Sequence, residues 1–237
     1  VLDMPDTEEN REEFPKREDT AFPQLRLVGL GECGTHAIVA AAFDVWQVQE
    51  RELFERMCHQ LQPGMLVLAD SGYYSYDLWS LAAETGAELV WRVGDNLDLP
   101  VEEWLDDGSY RSSLLPKQIK ANLKRGKPHS QAERLRRPVR VIEYMVTNRG
   151  ETTETIRLIT SIADPESAPA IELAALYQQR WEFELTLDEI ETHQMPASRL
   201  LRSRTPKLVA QEVWALLLTH YAVREFMHQA ADPLGPD

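Results

Sequence analysis

The chain has 237 residues, 43% hydrophobic and 27% charged, with 39 acidic against 25 basic side chains and a net charge of −14. This is the composition of a globular protein long enough to bury a sizeable core. Cys33 and Cys58 are too few for a disulfide framework and lack zinc-ligand spacing, no apolar run approaches the 18 residues of a membrane span, and the polar start VLDMPDTEENREEF argues against a signal peptide.

The two cysteines therefore read as reduced thiols of a cytoplasmic protein. Residues 5–24, polar and proline-containing, read as a long loop. Leu25–Leu30 and His36–Phe43 are apolar runs of strand length parted by GECGT, which predicts a hairpin. Between Gln47 and Leu61 the residues Val48, Leu53, Phe54, Met57 and Leu61 have helical spacing, ended by Pro63-Gly64. Met65–Ala69 is a continuous apolar run suited to a central strand buried on both faces, with Asp70 at its C-terminal end. A helix over Ser75–Thr85, stopped by Gly86, and a strand over Glu88–Val93 complete a parallel crossover unit. Residues 95–147 read as a β-rich insertion that contains VRVIEYMV (Val139–Val146) and a flexible basic loop near 117–137. A strand at Thr155–Ile162 and a long helix from about Ala170 to Gln194, ended by Pro196, follow. Pro206 opens a last helix with Leu208, Val209, Val213, Leu216, Leu217 and Tyr221 on one face. The expected divisions are 1–94, 95–147, 148–194 and 195–237.

An acidic total argues against a polyanion partner, but the charge is uneven. Lys117 to Arg140 holds nine Lys/Arg and one acid, Glu133, and a second cluster is Arg199, Arg202, Arg204 and Lys207. These windows read either as solvated surface or as phosphate-contacting arms on an acidic body. Asp70 reads either as a cap of the following turn or helix, or as a carboxylate at the strand end where α/β folds place catalytic groups. Tyr177, Arg180, Glu184, Asp188 and Glu191 are separated by 3, 4, 4 and 3 residues, so one helix would carry them on one face beside the apolar stripe Leu173, Leu176, Phe183, Leu187 and Ile190. A merely solvated, ion-paired helix face gives the same pattern. The six histidines, His36, His59, His129, His193, His220 and His228, are scattered and offer no metal cluster near Asp70; each reads as a surface or satisfied core residue.

LYQQRWEFE around Tyr177, Arg180 and Glu184, and LADSGYYSYDLW around Asp70, resemble bacterial insertion-sequence transposases of the DDE type, whose helix signature is Y-x2-R-x3-E-x6-K. GAELVWRV, RSRTPKLVAQEVWALLLTHYAVR and VLDMPDTEENREEF resemble further segments of that family, in the same order, so the likeness covers most of the chain. The resemblance implies a ribonuclease-H-like α/β fold: a mixed sheet with flanking helices and a β-rich insertion between the second aspartate and the glutamate. It implies that Asp70 and Glu184 are catalytic and metal-binding, part of a two-aspartate, one-glutamate set holding two divalent ions about 4 Å apart, with Mg²⁺ favoured by hard oxygen ligands. The chemistry would be metal-dependent cleavage and strand transfer on double-stranded DNA at transposon ends, in the bacterial cytoplasm at the nucleoid. Tyr177 and Arg180 would contact the scissile strand, and Lys117, Lys120, Lys124, Arg125, Lys127, Arg136 and Arg137 its phosphates. A second copy or a full-length transposase would be the protein partner, and no membrane is involved.

Three departures accompany the match. The family's first aspartate would fall ahead of Val1, in a first core strand that is missing, while Asp3 and Asp6 belong to the following strand and loop. Glu191 stands at the signature lysine, and Ser71 where relatives carry arginine. The expectation is an N-terminally truncated, catalytically disabled transposase domain, with a non-catalytic DNA-binding or dimerising remnant as the alternative.

Overall fold

The computed structural model describes residues 1–127, 130–147 and 153–231; His129, the expected boundary at 147/148 and the tail from 232 lie outside them. Two compact units are formed, Val1–Met57 with Gln179–Asp237, and Cys58–Gln178.

In the first unit, β1 (Leu2–Asp3), β2 (Gln24–Gly31) and β3 (Ile38–Val45) make an antiparallel sheet in that order. The expected hairpin is present, and Glu32 builds its turn: its carboxylate accepts from the amides of Gly34 (3.1 Å) and Thr35 (2.5 Å) and from the Thr35 hydroxyl. That hydroxyl above all holds the Glu32 carboxyl below its usual range. The stretch 5–24 is not wholly a loop. Helix α1 (Glu8–Glu13) starts there, capped by the Thr7 hydroxyl, which accepts from the Asn10 amide. The side chain of Asn10, fully buried, donates to the carbonyls of Pro5 and Ser203. Helix α2 (Glu50–Met57) buries Leu53, Phe54 and Met57.

The second unit is a six-stranded mixed sheet of β4 (Leu66–Ala69), β5 (Glu88–Arg92), β6 (Glu103–Trp104), β7 (Tyr110–Leu114), β8 (Arg137–Thr147) and β9 (Thr153–Thr160), in the order β4-β5-β9-β8-β7-β6. Only β4 and β5 pair in parallel, as the crossover through α3 (Tyr76–Glu84) requires. Ser75 caps α3 by accepting from the Leu78 amide, and Gly86 takes a φ of +84° after its end. The strands of 95–147 lie in one sheet with β4, β5 and β9. Within this sheet β4 is an edge strand, with Met65 and Leu66 exposed, rather than the central strand its apolar run suggested. Alternation along β5 serves two layers: Trp91 meets Trp79 of α3 edge-on at 5.3 Å between ring centroids, while Val90 packs with Leu173 and Tyr177 on the other face.

The basic segment expected to be a loop begins as helix α4 (Lys117–Lys124), with Ile119 buried. The long helix expected over 170–194 is not one regular helix. It is α5 (Ala170–Tyr177), a 3₁₀ turn (Gln178–Arg180), α6 (Trp181–Glu189) and a π turn (Ile190–Gln194). The division between the two units falls in that 3₁₀ turn. Helix α7 (Pro206–Ala231) returns to the first unit and buries Val209, Val213, Leu217 and His220, at spacings of 4, 4 and 3. Ile190, Met195 and Leu201 join these apolar residues, with Leu2, Met4, Leu25 and Ile38, in the core of that unit.

Candidate active site

Asp70 follows β4 directly. Its Oδ1 accepts from the Ser71 amide at 2.7 Å, and it caps the 3₁₀ turn Ser71–Tyr73. The cap of α3 is Ser75, so Asp70 is not required there. Its second oxygen has no hydrogen-bond partner among the described residues. Tyr177, at the end of α5, is buried at 7% exposure and donates to the Ala69 carbonyl at 3.4 Å. It therefore holds the end of α5 against the end of β4, one residue from Asp70, instead of presenting its hydroxyl to solvent.

In the other unit, Glu184 sits in the first turn of α6. Arg180 Nη1 donates to its Oε1 at 3.2 Å, and the Glu184 side chain is 44% exposed. The Arg180 guanidinium also lies 5.7 Å from the ring centre of the exposed Trp181. Phe183, next to Glu184, rests on β2 where that strand has no side chains: a Cβ on Gly31 would lie 2.6 Å from Phe183 Cδ2, and one on Gly29 3.1 Å from Cζ. His36, at φ +60°, joins Glu182 through Nε2 (2.8 Å), and Arg224 bridges its Nδ1 (3.3 Å) to Glu189. His36 had read as one of several scattered histidines; its pairing across 146 residues leaves no local sequence signal. Glu191, at the signature lysine, pairs with Arg199 (3.0 Å), which stands at φ +52°.

The basic segment separates into two groups. Lys120 (3.2 Å) and Lys124 (2.6 Å) both pair with Asp98, whose carboxyl is held low first by Lys124 and then by Lys120. Arg136 pairs with Glu102 and Glu133, and Arg137 with Glu84. Lys117, Arg125 and Lys127 are exposed and have no ion pair among the described residues.

Asp70 and Glu184, each taken by itself, are carboxylates of the kind a hard divalent cation takes. Each is a partly exposed carboxylate with one oxygen unengaged among the described residues, and Mg²⁺ is commonly held by one or two carboxylates with water and substrate phosphate. No group of three or more His, Cys, Asp or Glu side chains among the described residues is placed to hold a metal. No helix among them is long and apolar enough to cross a membrane.

The mixed α/β chain thus carries an aspartate at a strand end and a glutamate one turn beyond an arginine. The transposase DDE domain model matches residues 11–221, and the chain belongs to that family. It is 32% identical over 239 residues to the transposase InsG for insertion sequence element IS4 of Escherichia coli (strain K12), a match over 97% of this chain and 51% of that protein. The chain thus spans about half the length of the curated relative.

Proposed function

We propose that this chain acts on double-stranded DNA at the ends of an insertion element, by metal-dependent phosphodiester cleavage and strand transfer. Asp70 and Glu184 are proposed as two of its metal-ligating carboxylates. The observation that carries the reading is the pair between Arg180, just before α6, and Glu184 in its first turn, in the family's Tyr-x2-Arg-x3-Glu spacing. Bound Mg²⁺ would activate the attacking oxygen and stabilise the leaving one in an in-line displacement. The Ser71 amide fixes one oxygen of Asp70 and leaves the other for the ion. Arg180 neutralises Glu184 while DNA is absent and is a fork donor suited to a backbone phosphate. Tyr177 sets the end of α5 beside Asp70 rather than touching DNA. Lys117, Arg125 and Lys127 are the basic residues best placed to contact phosphate, since Lys120, Lys124, Arg136 and Arg137 are already paired. A second copy or a longer transposase is the proposed protein partner, in the bacterial cytoplasm.

A supercoiled plasmid carrying the DNA that flanks the coding sequence tests this reading. Mg²⁺-dependent nicking that Glu184→Gln and Asp70→Asn both abolish supports it; nicking that survives both changes refutes it. The second reading, DNA binding without cleavage, is favoured by one observation: Glu191 replaces the signature lysine and holds Arg199. Retention of that DNA with no nicking in Mg²⁺ or Mn²⁺ selects it.

A further inference from the structure

We propose that the Gly29–Gly31 track of β2 and His36 are positioning residues for Glu184: they set the roll of α6 about its axis and so aim the carboxylate. The inference rests on the reading of Glu184 as a metal-ligating group. Successive residues of an α-helix point about 100° apart. On α6, Glu182 and Glu189 therefore share one face, Phe183 occupies the next, and Glu184 the one beyond. The first two faces are gripped. The Phe183 ring lies on a strip of β2 that only glycine leaves flat, because a methyl group at Gly31 would sit 2.6 Å from the ring. On the adjoining face, His36 Nε2 donates to Glu182, its Nδ1 accepts from Arg224, and Arg224 also pairs with Glu189. Glu189 Oε1 also lies 3.5 Å from the same Nδ1.

His36 adopts the left-handed backbone that β-carbon sterics disfavour, and His220 Nε2 donates to its carbonyl at 2.9 Å. One turn of β2–β3 is thereby tied to both α6 and α7. Neither grip engages Glu184 itself, yet a small roll of α6 would swing its carboxylate, and metal-ligating constellations tolerate only about 0.5 Å or 10–20° of error.

The test is Mn²⁺ binding to the intact chain, titrated by electron paramagnetic resonance, with thermal unfolding recorded on the same samples. Glu184→Gln is the control and weakens Mn²⁺ binding. Gly31→Ala pushes on the ring, and His36→Asn removes the imidazole while keeping a residue that tolerates left-handed backbone. Each is expected to weaken Mn²⁺ binding by roughly 10-fold, the scale seen when the support around a metal ligand is removed. Phe183→Leu added to Gly31→Ala relieves the clash with the ring and should restore the parental affinity. If Glu184→Gln weakens binding but folded Gly31→Ala and His36→Asn bind as the parent does, the positioning role is overturned and the reading of Glu184 stands. If Glu184→Gln binds Mn²⁺ like the parent, both fall. Should Gly31→Ala not fold, His36→Asn decides between the same results.

Discussion

Arg180 Nη1 lies 3.2 Å from Glu184 Oε1, one helical turn apart, with 25% and 44% of the two side chains exposed. An i,i+4 pair this open adds only a few tenths of a kcal/mol, and a basic residue preceding the acidic one is the weaker orientation. Arg180→Ala should therefore lower the unfolding free energy in urea by no more than about 1 kcal/mol. The same variant should lose retention of end DNA in a filter-binding assay. A large loss of stability with unchanged DNA binding would make Arg180 a structural residue.

The division of the basic segment predicts a difference between two triple variants. Neutralising Lys117, Arg125 and Lys127 should flatten the log–log dependence of DNA affinity on salt by roughly 0.9 for each phosphate no longer neutralised. Neutralising Lys120, Lys124 and Arg136 should change that slope less, because Asp98, Glu102 and Glu133 already balance those charges. Equal slopes for the two variants would return the whole run to plain solvated surface.

Asp107 and Arg140 join β8 to the start of α5. Arg140, its side chain fully buried, pairs with Asp107, donates to Ser109 Oγ at 2.7 Å and to the Ala168 carbonyl at 2.7 Å. Asp107 in turn accepts from the Ala170 amide, the first of α5. Burial opposes ionisation of Asp107, but the Ser109 hydroxyl, the amides of Ala170 and Ser109, and Arg140 outweigh it and hold the carboxyl below its usual range. A depressed carboxyl contributes stability that is present above its unfolded value, near pH 4, and lost as pH falls through the folded one. Urea unfolding should show Asp107→Asn costing about 3 kcal/mol at neutral pH, since Arg140 is left buried without its partner. Below about pH 4 the variant should lose less further stability than the parent. Parallel curves for the two proteins would remove Asp107 from the acid response.

Much of this was legible in the sequence wherever a local rule was strong. GECGT marked the hairpin, Ser75 and Gly86 bounded α3, and the order of strand, helix and strand gave the parallel pairing of β4 with β5. Edge or centre was not legible for β4, because a continuous apolar run says nothing about which neighbours lie beside it. Helix α1 was hidden by its charge, with Thr7 and Asn10 as its only markers. The 3₁₀ turn at Gln178–Arg180 contains neither glycine nor proline and keeps the spacing of the helices around it, so no residue announced the break. Within the site, the Arg180–Glu184 contact followed from spacing alone. The burial of Tyr177, the seat of Phe183 on Gly31 and the bond from His36 to Glu182 depend on partners distant in sequence, which periodicity does not report.

If Asp70 and Glu184 serve one function, metal binding, a double-mutant cycle on Mn²⁺ affinity will report it. Groups that act as a unit are strongly non-additive, because removing either one already removes the function. Asp70→Asn and Glu184→Gln should each weaken Mn²⁺ binding by about 10-fold or more. The double variant should bind hardly worse than either single one. Mn²⁺ binding that neither change affects, or losses that simply add in the double variant, would contradict the assignment of the two carboxylates to one function.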